Sequence, residues 1–298
     1  MSSGIIPVIN IPEGSEIEDQ TLPRETCHSL VQALQSSGFL LVTTKLLDPD
    51  LQTRALTAAS KFLDSSQSGD IISHPDDPKV YAMFDSPEKF SQADQAIKEY
   101  MSIMTNVKTA LLRMIATGLG LEDVNFFVKL HDQNNDTLRL INYYPCDEDT
   151  GNRCKEHSDY GTITLLSTDG VSGLEAFHNG KWIPVPYLKG SLVVNIGSLL
   201  SSWTNGNLLA TLHRLAGPNS SNSESPKEDI LKAAKYTRTS IAFFADPNQD
   251  VSLSLSKTLN KEDTKQMSVA AYIQWRSGGS APSRSGVGFV DEELRRLH

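Results

Sequence analysis

The hydrophobic pattern of the chain changes near residue 125, and this change limits the folds available to it. Before that point, apolar residues recur at the three- and four-residue steps of amphipathic helices, most regularly from Ser91 to Leu119. After it come short runs rich in β-branched and aromatic residues, separated by turn residues. These runs are LRLINYYP, GTITLLST, GLEAF, WIPVP, GSLVVNIG, LLATLHRL and TRTSIAFFA. The pattern predicts a mainly β protein with flanking helices, whose core is a sandwich, a barrel or a jelly roll.

The helical front opens as a β-α-β unit. An interrupted strand, IIPVINI at 5–11, suits a sheet edge, because Pro7 cannot donate a ladder hydrogen bond. A helix follows from Arg24 to Leu34, and FLLVTT at 39–44 is a buried strand. A second helix is predicted from Asp48 to Leu63, and 65–79 is predicted to be a loop. In the β-rich half, the pairs Asn179-Gly180 and Asn205-Gly206 predict hairpin turns.

We divide the chain into three parts. Residues 1–120 form a helical N-terminal region, and residues 121–256 form the β core. The polar stretch 217–236 is an insertion in that core, and we place it at the mouth of the barrel, beside the substrate pocket. Its second half is predicted to form a short helix. Residues 257–298 supply a C-terminal helix and a flexible tail, which we interpret as a lid.

Composition excludes several classes of partner. The chain has 298 residues, with 27 basic and 36 acidic side chains, so its formal net charge is −9. A protein of this charge repels phosphate backbones and anionic bilayers, which argues against nucleic-acid and membrane partners. Three cysteines with no zinc-ligand spacing suit a reducing compartment. We therefore expect a cytoplasmic protein, a monomer, that acts on a small molecule.

Three side chains have the chemistry of a metal site. His157 and Asp159 are separated by one residue, so in an extended chain they point to the same face. His213 lies in a second strand-like run after the Asn205-Gly206 turn. Two imidazoles and one carboxylate form the facial triad that binds non-haem Fe(II) and leaves open positions for dioxygen and an organic co-substrate. A His-x-Asp pair alone also occurs as a surface pair or with a structural histidine, so the assignment depends on its neighbours.

Two further pairs share the same spacing. Arg238 and Ser240 face one way in the run TRTSIAFFA, and a guanidinium beside a hydroxyl can hold a carboxylate. Asn142 and Tyr144, in INYYP, form the third pair, although a tyrosine in a strand more often serves packing.

The chain resembles the Fe(II)- and 2-oxoglutarate-dependent dioxygenase superfamily, in the branch that includes isopenicillin N synthase. The resemblance is carried in order by LRLINYYP, HSDYGTITLLSTDGVSGLEAFHNGKWIPVP, GSLVVNIGSLLSSWTNGNLLATLHRL and RTS, within residues 137–244. It implies a double-stranded β-helix core with iron bound by His157, Asp159 and His213. It also implies that Arg238 and Ser240 bind the distal carboxylate of 2-oxoglutarate, with Asn142 and Tyr144 beside the co-substrate.

The resemblance further implies an enzyme that couples 2-oxoglutarate decarboxylation to hydroxylation or another oxidation of a small organic molecule. Two alternatives stay open: an oxidase that uses the triad without 2-oxoglutarate, like isopenicillin N synthase, and a non-catalytic binding or sensing protein on the same fold. The spacing of 25 positions from His213 to Arg238 is longer than is usual in the family, and the sequence also departs from the family pattern in TTKLL, after GFLLV, and in GSLL. None of these departures touches the three predicted metal ligands.

Overall fold

The computed structural model describes residues 5–12, 22–65, 71–73, 79–133 and 135–251. Within these ranges no helix is both long enough and apolar enough to cross a membrane. The predicted helix and tail of 257–298 lie outside the described residues.

The helices of the front follow their predicted apolar periodicity. In chain order, the α-helices of the protein are α1 (Arg24–Ser36), α2 (Pro49–Asp64), α3 (Pro87–Ser91), α4 (Gln95–Gly118), α5 (Ser198–Trp203) and α6 (Lys227–Ala233). Asp48 and Asp94 are the N-caps of α2 and α4. Each carboxylate accepts a hydrogen bond from the main-chain N–H two residues further along the chain. The buried faces of α1, α2 and α4 pack together with the large sheet into one hydrophobic core. The three helices predicted in the front are therefore confirmed.

Twelve strands of the described residues form two sheets. They are β1 (Val8–Asn10), β2 (Phe39–Thr43), β3 (Ile71–Ser73), β4 (Lys79–Phe84), β5 (Thr137–Tyr143), β6 (Cys154–His157), β7 (Ile163–Thr168), β8 (Leu174–His178), β9 (Lys181–Pro184), β10 (Ser191–Ile196), β11 (His213–Leu215) and β12 (Arg238–Ala245). The large sheet has the order β1-β2-β10-β7-β12-β5-β4-β3, and the small sheet has the order β6-β11-β8-β9. The two sheets face each other as a double-stranded β-helix, so the predicted jelly-roll core is confirmed.

The front and the core share the large sheet. Strand β1 pairs in parallel with β2 at one edge, as the interrupted sequence around Pro7 predicts. Strands β3 and β4 extend the opposite edge, next to β5. The prediction that 65–79 is all loop is thus wrong for 71–73, because the apolar pair Ile71-Ile72 completes an antiparallel ladder with β4.

The two Asn-Gly pairs have different roles. Asn179 and Gly180 both adopt positive φ angles, 49° and 80°, and join β8 to β9 as a hairpin. Asn205 and Gly206 also have positive φ, but they follow α5, and the Gly206 N–H donates to the Ser201 carbonyl. The second hairpin prediction is therefore wrong, because the left-handed conformation there ends a helix.

His131 is a buried histidine that the fold keeps neutral. Its Nδ1 lies 2.7 Å from the Phe127 carbonyl, and its Nε2 lies 2.8 Å from the Thr162 hydroxyl. Burial lowers the pKa of His131 to about 4. Below pH 6.5 the unfolded chain binds a proton at this residue, but the folded chain does not until the pH approaches 4, so stability falls as the pH falls through this window.

We expect the free energy of unfolding to fall by about 2 kcal/mol between pH 7 and pH 5 because of this residue. Urea unfolding at both pH values, compared for the wild type and His131→Gln, isolates the contribution, because the other titrating groups are common to both proteins. Equal pH dependence in the two proteins would show that folding does not lower the pKa of His131.

Candidate metal centre

A cavity of about 650 Å³ lies between the two sheets. The large sheet contributes residues of β4, β5, β7, β10 and β12, and the small sheet contributes residues of β6, β8 and β11. The predicted residues that line it are His157, Asp159, His213, Arg238 and Ser240. Five of the seven predicted site residues therefore reach one enclosed space.

The three predicted metal ligands converge at one end of this cavity. His157 and His213 are direct cross-strand partners in the pairing of β6 with β11, which brings their ring centroids to 4.2 Å. Asp159 follows β6, and its Oδ1 lies 3.9 Å from His157 Nε2 and 3.6 Å from His213 Nε2. The three donor atoms thus lie within 4.8 Å of one another, near enough for small side-chain shifts to bring them to the separation of about 3 Å that adjacent ligands of one metal have.

The surroundings orient each donor toward the shared point. His157 Nδ1 lies 2.8 Å from the Lys155 carbonyl, and His213 Nδ1 lies 3.2 Å from the Thr211 carbonyl. Because a carbonyl can only accept, each Nδ1 carries a proton and each Nε2 faces the metal position. Burial opposes a charge on His157, but Cys154 and Asp159 raise its pKa to about 9, so a metal would displace a proton from its Nε2. A mixed set of two imidazole nitrogens and one carboxylate oxygen is the donor set of ferrous iron.

Hydrogen bonds also orient the Asp159 carboxylate. Its Oδ2 accepts hydrogen bonds from the Thr164 hydroxyl and, at 2.7 Å, from the Asn195 amide, which leaves Oδ1 for a metal. Burial alone would raise the pKa of Asp159, but the adjacent His213 and His157 and these two hydrogen bonds hold it below its ordinary value. Burial and the neighbouring His157 lower the pKa of His213 to about 4. Near neutral pH the site therefore presents an ionised carboxylate and an unprotonated His213.

A close backbone contact fixes the Asp159 loop. The main-chain N–H of Ser198, at the start of α5, donates to the Asp159 carbonyl at 2.8 Å. Gly197 lies against Gly161, so a Cβ at Gly197 would collide with the Gly161 carbonyl oxygen. Only glycine permits this approach, and the approach holds Asp159 opposite the two histidines.

We expect Gly197→Ala to lower the unfolding free energy by about 1–3 kcal/mol, as in other overpacked sites, and to weaken Fe(II) binding. Urea unfolding and an anaerobic Fe(II) titration measure the two effects. Gly151→Ala is the control, because a Cβ there would meet no described atom within 4 Å. Unchanged iron affinity in Gly197→Ala would show that this contact does not position Asp159.

The second predicted pair lies further along β12. Arg238 is buried, and its Nε donates to the Val171 carbonyl at 3.1 Å. Ser240 is also buried, and its Oγ has no hydrogen-bond partner among the described residues. A buried hydroxyl without a partner is costly, and a ligand oxygen in the cavity would relieve that cost. The pair thus has the chemistry to receive a carboxylate, as predicted.

The third predicted pair faces the other way. Asn142 is a hydrogen-bond donor to Asp64 of α2 at 3.3 Å, and the Tyr144 hydroxyl donates to the same carboxylate at 3.1 Å. The prediction that these residues stand beside the co-substrate is corrected, because alternate residues of a strand face opposite sides. Tyr143 lines the cavity instead, with its ring 5.6 Å from the Arg238 guanidinium.

The insertion 217–236 packs against the small sheet. Its helix α6 forms as expected, but none of its residues lines the 650 Å³ cavity. Ser223 and Ser225 instead donate to the buried carboxylate of Glu175 on β8, and this anchors the insertion against the small sheet. The insertion still touches the cavity wall from outside, because the carbonyls of Ala233 and Tyr236 accept hydrogen bonds from Arg153, so its place beside the substrate pocket stays a prediction.

Three further residues of the site were not predicted from the sequence: Tyr143, Thr164 and Asn195. A sequence signal existed for Asn195, because it is the one amide within the apolar run SLVVNI, where a polar side chain requires a partner. Thr164 carries a weaker signal, since threonine is an ordinary strand residue.

Known proteins are similar to this chain in sequence and in fold. Residues 135–247 match the family model of the 2OG-Fe(II) oxygenase superfamily. The 2-oxoglutarate-dependent dioxygenase htyE of Aspergillus rugulosus is 40% identical over 148 residues, which are 47% of this chain and 43% of htyE. Gibberellin 2-beta-dioxygenase 2 of Arabidopsis thaliana is 25% identical over 283 residues, which are 83% of this chain and 76% of that relative.

Solved structures agree on the fold. A full-length protein of Neurospora crassa, solved in complex with alpha-KG and 5-formyluracil, superposes with a TM-score of 0.71 at 24% identity, covering 91% of this chain and 95% of that one. The dioxygenase for auxin oxidation 1 of Arabidopsis thaliana, in complex with 2-oxoglutarate, gives 0.66 at 20% identity over 83% and 94% of the two chains.

Residues 135–247 are thus similar to the 2OG-Fe(II) oxygenase superfamily in sequence, and the solved structures share the fold of the chain. Several curated relatives are matched over only part of their length: the match covers 44% of validamycin A dioxygenase of Streptomyces hygroscopicus subsp. limoneus, for example.

Proposed function

We propose that this protein is an Fe(II)- and 2-oxoglutarate-dependent oxygenase that oxidises a small organic molecule. One observation carries the proposal: two imidazoles, a carboxylate and a guanidinium-hydroxyl pair line a single cavity of about 650 Å³. The volume lies within the range of small-molecule sites.

In this proposal His157, Asp159 and His213 hold iron from one side. The three ligand atoms lie within 4.8 Å of one another, and the two hydrogen bonds to Asp159 Oδ2 keep Oδ1 turned toward the histidines. When bound, iron and 2-oxoglutarate supply the oxidation, in which dioxygen is reduced and the co-substrate is decarboxylated to succinate. The contribution of the protein is to orient these ligands and the substrate.

Arg238 and Ser240 bind the distal carboxylate of the co-substrate. Burial lowers the pKa of Arg238, because the charged guanidinium is less favourable inside the protein than in water. An anionic partner such as a carboxylate stabilises that charged form. The Ser240 Oγ donates a second hydrogen bond to the same carboxylate. The Tyr143 ring beside the guanidinium restricts where the carboxylate can lie. Asn142 and Tyr144 act indirectly, by tying β5 to Asp64 of α2.

Apolar side chains also line the cavity. Phe39, Leu166 and Leu174, from β2, β7 and β8, contribute to its wall. Such a wall excludes water from the reacting atoms and accommodates the carbon skeleton of a small substrate. The type of oxidation, a cytoplasmic location, a monomeric state and the three-part division of the chain stay predictions from the sequence.

The test uses the purified full chain with Fe(II), 2-oxoglutarate and air, and follows oxygen uptake and succinate formation. Because substrate-free turnover is slow, a library of small organic molecules is screened for compounds that accelerate succinate release. We expect succinate formation that requires both Fe(II) and 2-oxoglutarate. Substrate-dependent oxygen uptake without succinate would identify an oxidase instead, and failure to bind Fe(II) and 2-oxoglutarate would indicate a non-catalytic protein. Either outcome contradicts the proposal.

A further inference from the structure

The wall of the cavity is strongly cationic although the chain is acidic overall. Asp159 is the only acidic residue among the described residues that line it, and that carboxylate is a predicted metal ligand. Six lining residues are cationic: Lys79, Arg139, Arg153, Lys155, Arg214 and Arg238. In a chain of net charge −9, this concentration of positive charge favours anionic ligands.

Two of these arginines have partners within the protein. Arg214 donates to the Glu175 carboxylate at 2.8 Å and also contacts Glu156. Arg153 donates to four main-chain carbonyls, including that of Tyr143 at 2.6 Å. The Nε of Arg153 has no partner among the described residues, but its terminal nitrogens are all directed at these carbonyls, and the Arg214 guanidinium is paired with carboxylates.

Arg139 differs, because it has no ion pair with any described residue. Its Nε is buried without a hydrogen-bond partner, and its nearest polar contact is the Met83 sulfur, 3.7 Å from one terminal nitrogen. The guanidinium carbon lies 5.2 Å from the Tyr81 ring centre and 5.1 Å from the Phe244 ring centre. These rings come from β4 and β12, the strands on either side of β5. They flank the guanidinium and leave its cavity side for a ligand.

Arg139 and Arg238 are at different positions along the cavity wall. Across the β5–β12 ladder Arg139 pairs with Ala242, four residues from Arg238, which corresponds to about 13 Å along the strand. Phe244 pairs with Thr164, which donates to Asp159, so Arg139 belongs to the metal end of the cavity.

We infer that Arg139 binds a carboxylate of the organic substrate, so the substrate class is small organic acids. The inference rests on the proposed function, because it assigns the organic substrate to the metal end of the cavity. A planar carboxylate can accept two N–H bonds from a guanidinium flanked by rings, and Tyr81 and Phe244 offer apolar contact to the carbon skeleton.

The test measures binding rather than turnover. The full chain is loaded anaerobically with Fe(II) and N-oxalylglycine, an unreactive analogue of 2-oxoglutarate, and its thermal stability is recorded first. Matched acid and amide probes are then added: benzoate and benzamide, phenylacetate and phenylacetamide, and cinnamate and cinnamamide. We expect acids to raise the melting temperature and the neutral amides of the same shape not to, because only the acids pair with Arg139.

Variants assign the effect to this residue. Arg139→Met keeps an apolar side chain between the rings, and we expect it to bind the acids at least tenfold more weakly while N-oxalylglycine binds as before. Lys155→Met is the control, because it removes the same charge from an exposed position on the cavity wall and should keep the acid preference.

Equal stabilisation by acids and amides, no stabilisation by any acid, or an acid effect that persists in Arg139→Met would overturn the inference. Loss of N-oxalylglycine binding in Arg139→Met would also overturn it, by assigning the residue to the co-substrate. If the wild type binds neither Fe(II) nor N-oxalylglycine, the proposed function itself fails, so the two failures are distinguishable.

Discussion

His213→Ala is expected to reduce Fe(II)- and 2-oxoglutarate-dependent succinate formation by more than about a thousandfold. The substitution removes one of three protein ligands, and the two that remain, His157 and Asp159, leave the metal held by one imidazole and one oxygen. No other described residue replaces His213, because it is buried and its Nε2 points at Asp159 Oδ1 from 3.6 Å. Anaerobic Fe(II) titration and succinate assays measure the loss, and His157→Ala should behave in the same way.

His178→Ala provides the matched control for this experiment. His178 also belongs to the small sheet, at the end of β8, but its ring nitrogen contacts Asn179 and it does not line the cavity. We expect its iron affinity and succinate formation to remain those of the wild type. Wild-type iron binding by His213→Ala, with the fold intact by circular dichroism, would refute the assigned metal centre.

The metal centre could be predicted because its geometry depends on local rules. The same-face rule for alternate strand residues relates His157 to Asp159, and a strand-like run carries His213. Only the structure shows that His213 begins β11 and pairs directly with His157, since sequence does not specify which strands become neighbours. The Gly197–Gly161 contact is likewise non-local, so no spacing along the chain predicts it.

The sequence could not predict which residues of β5 face the cavity, because no local rule settles that choice. Both sides of this strand are covered, one by α2 and the other by the cavity, so its residues do not alternate clearly between polar and apolar. The pairing with β12 sets the register, so that Arg139 and Tyr143 face the cavity and Asn142 faces α2. A shift of one residue would exchange the two sets. The INYYP motif therefore placed the strand correctly at the site but not the side chains that enter it.

Arg238→Ala should raise the 2-oxoglutarate concentration needed for half-maximal succinate formation by about 30- to 100-fold. This corresponds to about 2–3 kcal/mol, the contribution of a hydrogen bond between charged groups that is removed when one partner is truncated. The three predicted metal ligands are unchanged, so Fe(II) affinity should remain that of the wild type. Steady-state kinetics with varied 2-oxoglutarate, together with a separate iron titration, distinguish a defect in the co-substrate site from a defect in the metal centre.

A second co-substrate identifies the group that Arg238 binds. 2-Oxopentanoate keeps the 2-oxo acid end of 2-oxoglutarate but ends in a methyl group instead of the distal carboxylate. The wild type should prefer 2-oxoglutarate strongly, whereas Arg238→Ala should keep only a several-fold preference, because the guanidinium is lost and the Ser240 hydroxyl remains to bind the distal carboxylate. Ser240→Ala should reduce the preference less, since a hydroxyl contributes one neutral donor. A preference for 2-oxoglutarate as strong in Arg238→Ala as in the wild type would assign the distal carboxylate to another cation of the cavity.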